Sequence, residues 1–243
     1  MPRRWKKADR AGLAALCALL TVWIYAIISP KEDPSDILGA SLEEPGPSET
    51  LIVDPGHGGL DGGASTAEGI PESRFNWEIS LRLRDLSRFL GIPVIMTRDT
   101  EDIDYPAELS TISARKRWDT RARVEKINSV PGGVLFSIHQ NFYPAAGPRG
   151  AQVLYAAGES SRRLGEQTQE ALRAYLAPEN RRVAEPAALD IYIMSHVQCP
   201  AILVECGFLS HPREAAMLAA DGYQIRLAAV LAGSFLQFTE ESA

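Results

Sequence analysis

From Leu51 onward the apolar positions follow two alternating periods. TLIVDP, IPVIMTR, VLFSIH, AQVLYA, LDIYIM and AILVECGF are short apolar runs of strand length, bounded by Gly, Pro, Asp or Ser. Between them the spacing becomes helical. SRFNWEISLRLRDLSRFL places Phe75, Ile79, Leu83, Leu86 and Leu90 on one face, and SSRRLGEQTQEALRAYL places Leu164, Thr168, Ala171, Leu172 and Tyr175 on an inner stripe. ISARKRWDTRARVEKINSV reads as a polar, strongly basic helix with Trp118 as its core anchor, while Trp77 suits either core or groove. HPREAAMLA and a largely apolar helix from Gln224 to Phe238 close the chain. Alternation of this kind predicts one three-layer α/β domain. Its central sheet should be mixed but mainly parallel, of about six strands, with helices on both faces.

The first fifty residues follow neither period. Ala11 to Ser29 is a run of 19 residues without a charge, and at about 1.5 Å per residue it spans close to the ~30 Å hydrocarbon core of a bilayer. The run leaves through Ile27-Ile28-Ser29-Pro30 rather than an Ala-x-Ala-like site, which favours an uncleaved transmembrane signal anchor over a cleaved signal peptide. Arg3, Arg4, Lys6, Lys7 and Arg10 precede it, so residues 1–10 should stay cytoplasmic and the rest should lie outside. Residues 30–50, rich in Pro, Glu, Ser and Gly, read as a tether of up to roughly 60 Å at ~3 Å per residue. Residues 51–243 form the globular body.

Charge sharpens this division. The chain of 243 residues has a net charge of −6, but its first ten residues hold five basic side chains and one acidic one. The remaining 233 hold 20 basic and 30 acidic residues, a balance that excludes nonspecific nucleic-acid binding. Three Cys exclude a disulfide scaffold. Cys199 and Cys206 flank an apolar strand that would hold them about 20 Å apart, so free thiols are expected.

Function in open α/β sheets concentrates at the carboxyl ends of strands. LIVDPGHGG places His57 there in a glycine-rich loop, VLFSIHQN places His139, and AILVECGF places Glu205. Neutral imidazole is the commonest zinc ligand, and a hydrolytic zinc takes three protein ligands and keeps one position open. Glu72, on the loop just before the first helix, is the best-placed third ligand, with Glu68 and Glu78 as competitors. Two His and a carboxylate suit metal-assisted hydrolysis, in which a further carboxylate takes a proton from water and gives it to the leaving amine. Glu205 suits that role; the alternative is a strand-end Glu paired with a nearby Arg. His196 and His211 read as structural or surface residues, and the basic helix from Arg115 to Lys126 as a solvated face or one turned toward an anionic polymer.

Taken in order, LIVDPGHGG, Glu72 ahead of RFNWEISLRL, VIMTRDT, LFSIHQN, GAQVLY and AILVECGFLSHPRE resemble the zinc-dependent N-acetylmuramoyl-L-alanine amidases, over the whole body from about Leu51. The resemblance implies zinc ligands at His57, Glu72 and His139, and a catalytic Glu205. It also implies peptidoglycan as the substrate, cut between the lactyl group of N-acetylmuramic acid and L-alanine. The single anchor, the short linker and the basic stretch are similar to the spore-germination-specific branch, which prepares cortex for muramic-δ-lactam formation. An activating lipoprotein partner, a vegetative-wall substrate, another wall hydrolase (a peptidase or deacetylase) and a silent wall-binding scaffold stay open. Two departures stand out: His211 replaces a frequent Asn, and Gln140-Asn141-Phe142 replaces a smaller ending, neither expected to touch the ligands. Only Thr100 to Thr111 separates TRD from the next helix, too little for a plug over the site.

Overall fold

The computed structural model describes residues 49–145 and 147–241. The basic segment, the apolar run Ala11 to Ser29 and nearly all of the tether lie outside the described residues. Among those described, no helix is long and apolar enough to cross a membrane.

Six strands form one sheet. In chain order they are β1 (Thr50–Pro55), β2 (Val94–Met96), β3 (Gly133–Asn141), β4 (Gln152–Tyr155), β5 (Glu185–Pro186) and β6 (Ala201–Phe208), arranged in space as β2-β1-β3-β6-β4-β5. β2, β1, β3 and β6 run parallel, whereas β4 pairs antiparallel with β6 and parallel with β5. The helices are α1 (Glu72–Phe89), α2 (Ile112–Asn128), α3 (Glu159–Leu176), α4 (Tyr192–His196), α5 (Pro212–Leu218) and α6 (Asp221–Glu240).

The period-2 alternation of the strands sorts their side chains onto two faces. Leu51, Val53, Phe136, Ile138 and Val204 bury against Phe75, Ile79 and Leu83 of α1, Leu164 and Leu172 of α3, and Leu231 and Phe235 of α6. The opposite face, Ile52, Leu135, Ala201 and Leu203, is covered by Val124 and Ile127 of α2 and by Ile193 and Met194 of α4. Alternation then carries Asp54, Ser137, His139, Glu205 and Gln152 onto that second face, near the carboxyl ends of the parallel strands. This is how the core pattern aims the polar groups.

Three expectations fail here. LDIYIM forms no strand: Leu189 is 90% exposed and Tyr192–His196 is a short helix that closes the second face with Ile193 and Met194. A short apolar run does not distinguish strand from helix until its packing surface is known. The sixth strand is instead the exposed pair Glu185–Pro186, where proline is tolerated because the strand lies at the edge. Trp118 is no core anchor, being 37% exposed with its edge toward Tyr105; α2 buries Val124, Ile127 and, unexpectedly, Asp119 and Arg123. On α3, Leu164, Thr168 and Leu172 are buried but Tyr175 is exposed, because the inner stripe continues at Leu176, four residues after Leu172, which packs against the core instead.

Candidate active site

The glycine-rich loop leaves β1 at the edge where β3 and β6 end. Gly56 N donates to the Ile138 carbonyl (2.9 Å), and Gly58 and Asp61 exchange backbone hydrogen bonds (2.8 and 3.0 Å) that close a tight turn. His57 immediately precedes it at φ 58, the described non-glycine residue with a left-handed backbone. Such a conformation has a cost of order 1 kcal/mol or more, and it concentrates at functional sites. Two glycines make the room. A Cβ on Gly56 would lie 2.2 Å from His139 Nε2, and one on Gly63, at φ +69, would lie 2.5 Å from Glu72 Oε2.

Glu72 is the first residue of α1 and not part of the loop ahead of it, which places its carboxylate at the positive end of the helix. The loop caps this helix, since Glu72 N and Ser73 N donate to the Ala64 and Gly62 carbonyls. One carboxylate oxygen accepts from Ala64 N (3.1 Å) and lies 3.3 Å from His57 Nε2. The other accepts from Gln140 N (3.1 Å) and Asn76 Nδ2 (3.2 Å) and lies 3.0 Å from His139 Nδ1. Glu72 is buried; burial alone would raise its pKa, but the two imidazoles hold the carboxyl far below the usual range.

His57 Nδ1 meets Asp61 Oδ2 at 2.8 Å, and Asp61 also pairs with Lys116 Nζ at 2.9 Å. Burial opposes the charged imidazole, yet the Asp61 and Glu72 carboxylates outweigh it and push His57 up to about 9. Donor atoms of His57, Glu72 and His139 all lie within 4.8 Å of one another, the one such cluster among the described residues that could hold a metal. Glu205 lies beside His139 in the β3–β6 register. Burial pushes its pKa up, and its Oε2 is buried with no hydrogen-bond partner among the described residues. A carboxylate oxygen of this kind is costly to leave unmatched.

The family model for N-acetylmuramoyl-L-alanine amidases matches residues 51–235. The chain belongs to that family. A germination-specific N-acetylmuramoyl-L-alanine amidase of Bacillus subtilis is 35% identical over 193 residues, covering 79% of this chain and 80% of the relative. Among solved structures, the CwlD amidase of Clostridioides difficile in complex with the GerS lipoprotein superposes with a TM-score of 0.76 at 30% identity. That match covers 80% of this chain and 100% of the other. An N-acetylmuramoyl-L-alanine amidase of Clostridium difficile 630 matches with a TM-score of 0.69 at 25% identity, over 81% and 99%. The protein is thus a peptidoglycan amidase, a hydrolase of the muramoyl–L-alanine bond.

Of the residues singled out in the amidase sequence, His57, Glu72 and His139 converge and Glu205 adjoins them. Glu68 is exposed on the loop, and Glu78 pairs with Arg74 and accepts from Gln224 on α6, so neither competitor reaches the cluster. Glu205 forms no ion pair with an Arg among the described residues. His196 stacks on Tyr192, and His211 caps α5 by accepting from Glu214 N (3.4 Å). Both are structural. Cys199 and Cys206 are free thiols. No helix forms between β2 and α2; instead Tyr105 Oη donates to the Gly58 carbonyl (3.3 Å), so the segment clamps the glycine loop.

One expectation about the departures is corrected: Gln140 does touch a site residue, through its backbone N to Glu72 and its amide to Asn76 Oδ1 (3.1 Å). Sequence reasoning also missed Asp61, Asn76 and the buried group beneath the loop. There Arg123, Thr97 and Ser137 all bond Asp54, holding its carboxyl below the usual range against the opposing effect of burial. The Asp four residues after His57 was the one legible signal, since a side chain at that distance can fold back across a tight turn.

Proposed function

We propose that this amidase is zinc-dependent, with His57, Glu72 and His139 as ligands and Glu205 as the catalytic acid–base. We assign it to spore cortex, as a membrane-anchored enzyme working outside the cell. The observation that carries the zinc reading is the three-donor cluster beside a buried, unmatched Glu205 oxygen. Fit supports it: one donor atom from each of the three residues already lies within 4.8 Å of the others, close to the roughly 3.3 Å that separates donors about 2.0 Å from a tetrahedral ion. Two imidazoles and a carboxylate are the donors of hydrolytic zinc, and Asp61 supplies the outer hydrogen bond that orients a ligating imidazole. Zinc held there would activate water and polarise the scissile carbonyl.

The chain's own groups do the rest. Asn76, Ala64 N and Gln140 N hold the Glu72 carboxylate in one orientation, and Asp61 fixes which His57 nitrogen faces the cluster. Glu205, whose proton affinity burial raises, takes a proton from water and passes it to the departing L-alanine nitrogen. The lactyl carboxylate and a free amino terminus on the stem peptide are the products.

The cortex assignment is supported by the germination-specific relative of Bacillus subtilis and leads on to muramic-δ-lactam formation. Anchoring through residues 11–29 rests on their unbroken apolar run behind a basic cluster. An activating lipoprotein partner is supported by the complex in which the Clostridioides difficile amidase was solved. Digestion of purified cortex by the full chain, with product mass spectrometry, tests the reading: new N-terminal L-alanine is expected, abolished by chelation and restored by zinc. His57→Ala should lose metal and activity together. Glu205→Gln should keep its metal and lose turnover by about 100-fold or more; equal turnover would remove Glu205 from the mechanism.

A further inference from the structure

The polar row on the second face of the sheet does not end at Glu205. Gln152 of β4 stands directly opposite Glu205 in the antiparallel β4–β6 register, so both side chains project from the same face. Gln152 Oε1 accepts from Arg182 Nη1 (2.7 Å), which brings a guanidinium alongside the catalytic carboxylate. Arg182 is rigidly held: Nε donates to the Arg149 carbonyl (2.9 Å), its backbone N donates to Asn180 Oδ1 (3.0 Å), and its plane lies over the Phe208 ring at 4.6 Å. These contacts use Nε and Nη1 and leave Nη2 with no partner among the described residues.

Arg182 opens onto a cleft of about 380 Å³ that Arg149 and Arg181 also line. Two carboxylates, Glu179 and Glu214, share the cleft; Glu179 is exposed and forms no ion pair among the described residues. Glu214 is occupied, one oxygen accepting from Gly150 N (2.8 Å) and the other from Phe208 N (2.9 Å). Among the described residues, none of the three arginines has a carboxylate within ion-pair distance, and the three line one cleft. Three unpaired guanidiniums, one of them oriented by three fixed contacts, in a body with five more acidic than basic residues, form a receptor for an anion.

The chemistry of the cut says which anion. Glu205 must reach the amide nitrogen, so the peptide half of the substrate passes Glu205 while the carbonyl half faces the cluster. The muramyl half has spent its one carboxyl in the scissile amide, so a carboxylate near this bond belongs to the stem peptide. We infer that the arginine cleft beside Glu205 is a subsite for a free carboxylate of the stem peptide, with Arg182 as its main donor. This rests on the hydrolytic role proposed for Glu205.

The test is steady-state kinetics of the full zinc-loaded chain on two muramyl peptides, one with a free α-carboxylate on the second stem residue and one with that group as the carboxamide. The wild type should favour the carboxylate. Arg182→Gln, and more weakly the exposed Arg181→Ala, should erase the preference by raising KM for the carboxylate roughly 10- to 100-fold, the scale of one charge-assisted hydrogen bond. kcat should change less than about twofold, and the carboxamide should respond to neither variant; a misfolded variant would lose both substrates alike. Equal wild-type KM values, or parallel losses on both substrates with Arg181→Ala, would overturn the subsite. Calorimetric titration of the two corresponding free peptides separates this idea from the catalytic reading. If the wild type cuts neither substrate, the role of Glu205 fails, while a carboxylate preference in binding that Arg182→Gln removes upholds the subsite and equal binding overturns it.

Discussion

Gly56→Ala isolates the geometry of one proposed ligand. The backbone of Gly56 is not in the left-handed region, so an alanine there carries no conformational penalty of its own. Its Cβ, however, would stand 2.2, 2.3 and 2.6 Å from three atoms of the His139 ring, where ordinary contact requires at least 3.4 Å. The shortfall is about 1 Å. Neither side can yield freely: Gly56 is tied by its N to Ile138 and by its carbonyl to Asn76 Nδ2 (3.0 Å), and His139 is fixed within β3 and against Glu72. Overpacking of this size costs about 1–3 kcal/mol. A ring displaced by roughly 1 Å costs on the order of 100-fold in rate. The expected result is a Tm lowered by several degrees, zinc affinity lowered at least tenfold by competition with a chromophoric chelator, and kcat/KM down about 100-fold. Gly147→Ala, whose Cβ would meet nothing within 4 Å, serves as the control. If Gly56→Ala binds zinc and turns over like that control, His139 does not occupy the position argued for it.

Three further outcomes follow from the same contacts. Asp61→Asn should lower zinc affinity about 10- to 100-fold without unfolding the protein, because it weakens the hydrogen bond that orients His57; equilibrium dialysis measures this. Arg123→Met should destabilise by about 3–5 kcal/mol in urea melts by leaving Asp54 buried without its cation, and the double change Asp54→Asn/Arg123→Met should recover part of the loss. The carboxylates around His57 raise it from 6.5 to about 9, so their pairing stabilises the metal-free fold fully below about pH 6.5 and is lost as pH rises through about 9. Zinc uptake at pH 7 should therefore release at least one proton, and the His57 contribution should vanish by about pH 10. Calorimetry in buffers of different ionisation heat reads this directly, and zero release at pH 7 would contradict the pairing.

Periodicity was enough to place five of the six strands and all the long helices, because burial on one or two faces imposes a repeat that a linear pattern records. It was not enough for LDIYIM, where a six-residue apolar run served equally well as a strand or as the short helix that plugs the second face. It also missed Glu185–Pro186, whose exposed edge position leaves no apolar signature. The site divides in a similar way. His57, His139 and Glu205 stand out in sequence because each ends an apolar strand or follows one in a glycine-rich turn, a juxtaposition that packing alone gives no reason for. Asn76 carries no such mark, since its partners approach only when the loop folds over the start of α1, and Asp61 is legible only by its spacing of four from His57.

The sequence by itself determined the layered α/β architecture and the types of residue that meet at the carboxyl edge. Only the tertiary structure decided how they meet. It set Glu72 at a helix start between two imidazoles, left a Glu205 oxygen without a partner among the described residues, buried Arg123 of the basic helix against Asp54, and carried the row on through Gln152 to Arg182. The physical reason is range. Burial repeats are written between neighbours along the chain, whereas the hydrogen bonds that orient a carboxylate or an imidazole can join residues 83 positions apart, as Asp54 and Ser137 are.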